Sequence, residues 1–441
     1  LASVRHVLSD IFLPAGYPAS VSPGMVARNY YQIYNALQAF CSSVSGLLAS
    51  RGALEGVGVG DASASATQAL LLTVLKDVFS RLTTIIAAYY FGTSLYPETK
   101  TFRFLADVVN DASIVLDTLV PYIGAINLSS SLPFIPSGAN LQILALCTSG
   151  ALRSLCGLIA GGSKAALTNH FASPLSGKGD VGELNAKDAS RETVIGLLGM
   201  LLGTLLIPYI NTRTSTYLSL FVLVVGHLLC NYLAVRSVVL RTLNRQRVAI
   251  LWSDFCDAPG MTKSEALSPS NVASRELVLG KPDCLRSTTG RIIGRCVLGT
   301  SMRTVLSCCG VEHIKMALRT FEKEKYILFV AERSRRSGWS SPRPTIFVCF
   351  KDGYTQMDQL RAWIHSIEVA AQLTDGEGSK GYAATADILQ ATHLAVQKDL
   401  PQFVRCLMGA GWDTTEDSMM FGSPGNLILR TDNDGELKKQ R

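Results

Sequence analysis

The chain has 441 residues, 48% hydrophobic and 17% charged, with a formal net charge of +7. Its length allows two or three domains with separate cores. Residues 1–245 hold 16 Lys and Arg and 12 Asp and Glu, and residues 246–441 hold 25 and 22. Neither part is the strongly basic body that nucleic-acid binding asks for, so no nucleic-acid partner is expected. Charge is sparse in the longer first part and dense in the shorter second, which predicts a membrane-like segment followed by a water-like one. The eleven cysteines include no CxxC pair and no ligand-like spacing. They read as small buried apolar groups in a reducing compartment, which argues against a disulfide frame and a zinc site. Because the first residue is Leu1, the true start is expected to lie upstream, and a targeting segment stays open.

Residues 11–30, IFLPAGYPASVSPGMVARNY, are too rich in Pro and Gly for one long helix. From Tyr30 to Leu54 helical spacing takes over, with Tyr30, Tyr34, Leu37, Cys41, Val44 and Leu48 on one side. The glycine-rich Gly56–Ala69 is followed by no GKS or GKT and preceded by no strand-like run. A tight helix contact therefore fits it better than a phosphate cradle. Leu70–Phe91 is apolar but for Lys76, Asp77 and Arg81, with Asp77 and Arg81 spaced to pair on a helix. In a bilayer such charges face the bundle interior; at the interface they are a solvated edge.

In Lys100–Asp117, Asp107, Asn110, Asp111 and Ser113 recur at helical spacing, with Lys100 and Arg103 one turn upstream. Two carboxylates at i and i+4 suit a cation or a proton. Ion pairs with the nearby Arg and Lys are the plainer alternative. Pro121, Pro133 and Pro136 break the chain before a helix over Leu141–Ala160, apolar apart from Arg153, which Gly157, Gly161 and Gly162 end near Lys164. Residues 169–192 read as a polar loop, with Asp188 or Ser190 capping the next helix.

Two uncharged runs then lie back to back, Thr193–Thr212 with twenty residues and Thr214–Val235 with twenty-two. A membrane crossing needs about 20 mostly apolar residues, so the pair reads as a tight helical hairpin turning at 211–214. Lys187 and Arg191 precede it, and Arg236, Arg241, Arg245 and Arg247 follow it. These put both outer ends on the cytosol-equivalent side, beside anionic lipid headgroups. A hairpin buried in a large soluble core is the alternative. Gly196, Gly199 and Gly203 form a small-residue packing stripe. His227, alone in its run, is expected to hydrogen-bond a neighbouring helix.

Beyond Arg247 the residues ILWSDF continue a helix, and Ser268–Leu279 offers a short capped one. Arg291–Leu298, Lys325–Val330 and Thr345–Phe350 read as strands of a short antiparallel sheet, the last two as a long hairpin. Helices are predicted at Cys309–Phe321, Gln356–Leu373, Ala383–Lys398 and Gln402–Ala410, and the chain from Thr414 is mostly polar.

Five strings in fixed order carry a resemblance: FLPAGYPASV, LQAFCSSVSGLLASRGALEGVGVGDASAS, KTFRFLADVVNDASIVLDTLVP, LNAKDASRETVIGLLG and NYLAVRSVVLRTLNRQR. Over about residues 11–247 they resemble the root UVB sensitive family, and KYILFV with GYTQMDQLRAWIHS is similar to that family's C-terminal domain. Phe102 stands where plant members carry a Trp, and SPLSGKGDVGE at 173–183 replaces an Asn-rich loop, which points to a divergent member outside the plants. The resemblance implies a membrane-associated protein tied to vitamin B6 homeostasis, with plant members linked to light-sensitive root growth and auxin transport and acting in heteromeric pairs. It implies no catalytic residue, and it marks Asp107, Asn110, Asp111, Lys187 and Asp188 as motif members.

The expected fold is mainly α, a multi-helix membrane-type bundle followed by a small α+β C-terminal domain. The expected divisions are 1–247, 248–413 and a polar tail over 414–441. No nucleophile elbow or metal constellation stands out, so no catalytic residue, metal or cofactor is assigned and an enzyme is the least favoured class. The functional candidates are Lys76, Asp77, Arg81, Arg103, Asp107, Asn110, Asp111, Arg153, Lys187 and Asp188. The leading expectation is a non-enzymatic integral membrane protein, its organelle open, that contacts the lipid bilayer and a protein partner such as a family paralogue. A transporter of a small polar or anionic solute is the alternative. A pyridoxal-phosphate binder using Lys164 is a third and weaker reading.

Overall fold

The computed structural model describes residues 30–59, 65–92, 95–124, 138–172, 180–257, 267–287, 289–331, 343–375, 382–415 and 419. The expectations for residues 11–29, for Pro133 and Pro136, for residues 60–64 of the glycine-rich stretch and for the tail beyond 419 lie outside them. The chain divides into two compact units, Leu1–Leu240 and Arg241–Arg441.

The first unit is built of α1 (Tyr30–Gly56), α2 (Ala66–Phe91), α3 (Thr99–Gly124), α4 (Gly138–Phe171), α5 (Val181–Leu206) and α6 (Arg213–Ser237). Helix α4 runs on through the glycines expected to end it: Gly157 and Gly161 meet no neighbour, while Gly162 gives room to Leu95. Pro121 lies inside α3 rather than breaking it, near the helix end where few backbone bonds remain to be lost. Of the loop expected over 169–192, residues 169–171 and 181–192 are helix, and 173–179 lie outside the described residues. Asp180, not Asp188 or Ser190, caps α5, its carboxylate accepting the Glu183 backbone N–H at 3.0 Å. A 3-10 turn, Ile207–Tyr209, holding Pro208 ends the first uncharged run, and a Thr212/Ser215 capping box starts the second.

Helices α5 and α6 are not a tight hairpin packed on itself. Both pack chiefly against α1, which also meets α3. The glycines explain the preference. A Cβ on Gly199 would meet Ser43 at 2.7 Å, and one on Gly203 would meet Leu47 at 2.5 Å, so α5 approaches α1 through its small face. Gly196 faces open space and has no part in the packing stripe, though its carbonyl accepts the Ser43 hydroxyl at 2.9 Å.

Among the described residues three helices in this unit are long and apolar enough to cross a membrane: Asn140–Phe171, Val181–Tyr209 and Arg213–Ser237. The outside of the unit carries exposed Leu71, Phe79, Ile85, Ile86 and Tyr89 on α2, Leu197, Leu201 and Leu205 on α5, and Leu218, Phe221 and Val222 on α6. Its inside holds buried Lys100, Asp107, Asp111, Asp117, His227 and Asn231. That distribution reverses the usual one, in which charge faces out and apolar groups face in.

The second unit contains α7 (Arg245–Asp257), α8 (Pro269–Arg275), β1 (Cys284–Arg286), β2 (Ile292–Leu298), α9 (Met302–Cys308), α10 (Val311–Thr320), β3 (Tyr326–Val330), β4 (Thr345–Phe350), α11 (Gln356–Asp375) and α12 (Tyr382–Gly409). The sheet order is β1-β2-β4-β3. β3 and β4 pair antiparallel as expected, but β2 and β4 are parallel, so the sheet is mixed. The chain leaves β2 through α9, α10 and β3 before β4 returns beside it, which allows a parallel neighbour. α10 falls within the helix expected at Cys309–Phe321, α9 before it was not expected, and α12 continues through Pro401 where two helices were. A single core joins Trp252, Phe321, Tyr326, Phe350, Trp363 and Phe403 across sheet and helices.

Arg245 and Arg247 correct an expectation. They are not lipid-facing cations but buried members of this second unit. Arg245 pairs with Asp283 at 2.6 Å and Arg247 with Glu276 at 2.8 Å. Of the arginines expected at headgroups behind the second run, only Arg236 is exposed.

Candidate functional site: a buried polar spine on α3

Helix α3 turns Lys100, Asp107, Asp111, Ser113 and Asp117 inward, and the neighbouring helices supply polar partners at each level. At the first level the Arg103 Nη1 donates to Asp107 Oδ1 at 3.0 Å. The amide nitrogens of Gln38 on α1 and Asn231 on α6 both donate to Asp107 Oδ2. One turn on, His227 Nδ1 lies 2.8 Å from Asp111 Oδ2, and its Nε2 lies 3.9 Å from Asp107 Oδ2. The spine thus ties α1, α3 and α6 through two carboxylates and an imidazole that are almost wholly buried.

At the second level Asp117 takes the Arg153 Nη2 at 2.7 Å and the Ser149 hydroxyl, both from α4, while Lys76 Nζ of α2 stands 3.7 Å away. Ser113 donates to the Ser149 carbonyl at 3.1 Å. At the other end of the unit a cleft is lined by Tyr31, Lys164, Thr168, Asp188, Arg191 and Glu192. There Lys164 Nζ is held by Glu192 at 2.8 Å and Asp188 at 3.2 Å. Arg103 lies within electrostatic reach of Tyr31, Asp107 and Glu192, so cleft and spine adjoin.

The sequence candidates therefore separate into groups. Arg103, Asp107 and Asp111 share one cluster; Lys76 and Arg153 share another around Asp117; Asp188 belongs to the cleft. Asp77 and Arg81 do not form the expected pair: both side chains are exposed, and among the described residues neither makes a hydrogen bond or ion pair. Four residues apart satisfies the spacing, but each can point freely outward. Asn110 is half-buried beside the cluster without joining it, and Lys187 is half-buried on α5.

Sequence reasoning missed Gln38, Asn231, Asp117, Ser149 and Glu192 as members. Asn231 had a readable signal, since it lies one turn after His227 on the same apolar helix. Gln38 had none. Lys164, an ammonium clasped by two carboxylates, is poorly set to attack an aldehyde, because a nucleophilic lysine must first lose its charge.

A helical unit with an apolar exterior and an ionisable interior, joined to a small α+β unit, is the class of protein that this fold and site define. Residues 1–258 match the family described as "Vitamin B6 photo-protection and homoeostasis domain", and residues 265–421 match "Root UVB sensitive protein, C-terminal". The chain belongs to the root UVB sensitive family.

Among similar proteins is RUS family member 1 of Dictyostelium discoideum, 34% identical over 277 residues, which is 62% of this chain and 48% of that protein. The chain thus matches about half the length of that relative. Protein root UVB sensitive 3 of Arabidopsis thaliana is 28% identical over 414 residues, 93% of this chain and 83% of that protein. Protein root UVB sensitive 2, chloroplastic, also from Arabidopsis thaliana, is 23% identical over 405 residues, 91% and 81%. No solved structure matches.

Proposed function

We propose that this chain is a non-enzymatic integral membrane protein that serves vitamin B6-related homeostasis by binding a protein partner. The observation that carries the membrane reading is the reversed partition of the first unit, with apolar side chains outside and ionisable ones inside. In water that exterior would be a large aggregation-prone surface; in lipid it is the ordinary condition of a helical bundle. Two observations support partner binding. The polar groups of the spine are engaged mainly with one another across α1, α2, α3, α4 and α6, and the second unit leaves Leu277 and Leu279 exposed on either side of buried Val278. A family paralogue is the candidate partner. Purification of the tagged full chain in mild detergent tests this: a second protein is expected to remain bound in a fixed ratio, and to be lost from a Leu277→Ser, Leu279→Ser variant. A clean single species would remove the adaptor reading.

One observation favours a second reading, transport of a small polar solute. The cleft at Tyr31 and Glu192 adjoins Arg103, and Arg103 adjoins the buried carboxylates, so polar groups follow one another from the surface inward. In proteoliposomes such a carrier would take up solute in a way that Asp107→Asn and Lys76→Ala abolish while folding is retained. Equal uptake in both variants would end that reading.

A further inference from the structure

The cluster around His227 has more electron-rich atoms than donors to satisfy them. Three buried oxygens, Gln38 Oε1, Asn231 Oδ1 and Asp111 Oδ1, have no hydrogen-bond partner among the described residues. Their side chains are 5%, 1% and 3% exposed, so solvent is not at hand. An unsatisfied buried acceptor costs about 1–3 kcal/mol, and three in one network call for a common explanation.

One network joins the three side chains. The nitrogen of each amide is bound to Asp107, which confines the oxygen of the same amide to its surroundings. Asp111 is joined to that group through the His227 ring, which reaches both carboxylates.

The charges point the same way. Among the described residues His227 makes one hydrogen bond, through Nδ1. An Nδ1–H tautomer without a second proton would supply it and leave an Nε2 lone pair on the side of Asp107. Within the hydrogen-bonded cluster Arg103 then balances one carboxylate, and one negative charge is left over in an apolar interior, where an unbalanced charge is strongly disfavoured. A proton on His227 would settle the charge but leave all three oxygens unpaired. A small cation would settle both.

We propose that Gln38, Asn231 and Asp111, with Asp107 and His227 at the margin, form a binding site for a hard monovalent cation of the sodium type. Among the described residues no three His, Cys, Asp or Glu side chains converge as metal ligands. The donor set here is instead two amide oxygens and carboxylate, which matches a hard, singly charged ion better than a transition metal. Bound there, the ion would join α1, α3 and α6 and set how firmly they hold together. The proposal goes beyond the membrane and partner readings and does not depend on them, since it concerns the interior of the folded unit.

The test uses the purified full chain in detergent, titrated with sodium chloride against choline chloride at constant ionic strength and pH. Wild type is expected to gain thermal stability saturably with sodium and to retain radioactive sodium ion in a binding assay. Asp111→Asn, which keeps shape and removes the charge, is expected to abolish both responses. Gln38→Met, which at similar volume removes one oxygen together with the amide donor to Asp107, is expected to weaken sodium binding about tenfold. Should Asp111→Asn fail to fold, the wild-type binding assay and Gln38→Met still decide the matter. A wild type indifferent to sodium overturns the site, as does one whose stability follows pH alone, which would make the bound cation a proton. A sodium response untouched by both substitutions overturns it as well.

Discussion

Asp111 and His227 are 116 residues apart in the chain and 2.8 Å apart in the fold, with almost no exposed surface on either. Neither residue alone signals more than an odd polar group in an apolar helix. Together with Asp107 they make the interior of the first unit a charged network between α1, α3 and α6.

That network fixes the consequence of removing its central member. Asp107→Ala leaves the Arg103 guanidinium, only 13% exposed, without its carboxylate and frees two amides at once. A loss of about 3–5 kcal/mol is expected, the usual penalty for breaking one side of a buried pair. Thermal unfolding in detergent measures it, and a change under 1 kcal/mol would show that the network is solvated after all.

The close approach of α1 to α3 rests on Gly52. A Cβ there would lie 2.5 Å from the Asp117 carbonyl oxygen and 2.7 Å from Thr118 Cα, both backbone atoms that cannot swing away. Gly52→Ala is expected to destabilise the unit by more than about 1 kcal/mol. Gly196→Ala, whose Cβ meets nothing within 4 Å, should be neutral or stabilising by up to about 1 kcal/mol through helix propensity. Comparing the two variants by melting temperature separates packing from propensity.

In the second unit Arg247→Met tests whether that arginine belongs to a protein core. Its guanidinium and Glu276 are 2% and 3% exposed and 2.8 Å apart, and it also donates to the Thr242 carbonyl at 2.7 Å. Loss of one partner is expected to cost about 3–5 kcal/mol. A headgroup-binding arginine would instead leave stability unchanged and weaken association with anionic vesicles.

His365 gives this unit a pH dependence of definite sign. It sits between the Tyr326 hydroxyl at 3.1 Å and Thr392 Oγ1 at 2.9 Å. Burial, with His393 nearby as a smaller cause, lowers its pKa to about 3 from 6.5. The folded state therefore refuses a proton that the unfolded chain accepts. Its stabilising effect is complete above about 6.5 and is lost progressively as the pH falls toward 3, by up to about 1.4 kcal/mol per pH unit. Tryptophan fluorescence during denaturant unfolding at about pH 7.5, 5.5 and 4.5 follows this. His365→Gln should flatten that part of the profile.

Much of the architecture was legible because apolar run length and helical period are local signals. The runs at 193–212 and 214–235, the strands Tyr326–Val330 and Thr345–Phe350, and the polar positions Asp107 and Asp111 all follow from spacing. What stayed hidden depends on partners distant in sequence. Nothing in the string around Gln38 announces that its amide meets Asp107, and nothing around Arg247 announces Glu276. The parallel register of β2 with β4 is likewise set by how the chain returns, not by either strand. Helix ends were misread where one good cap outranks several plausible ones: Asp180, placed ahead of Glu183, starts α5 two turns before Asp188.

The most direct test of the account is extraction of native membranes with alkaline carbonate, using the full chain tagged at both ends. The apolar exterior of α2, α5 and α6 predicts that the protein stays in the membrane pellet and is released only by detergent. Recovery of the protein in the carbonate supernatant, monodisperse without detergent, would contradict it.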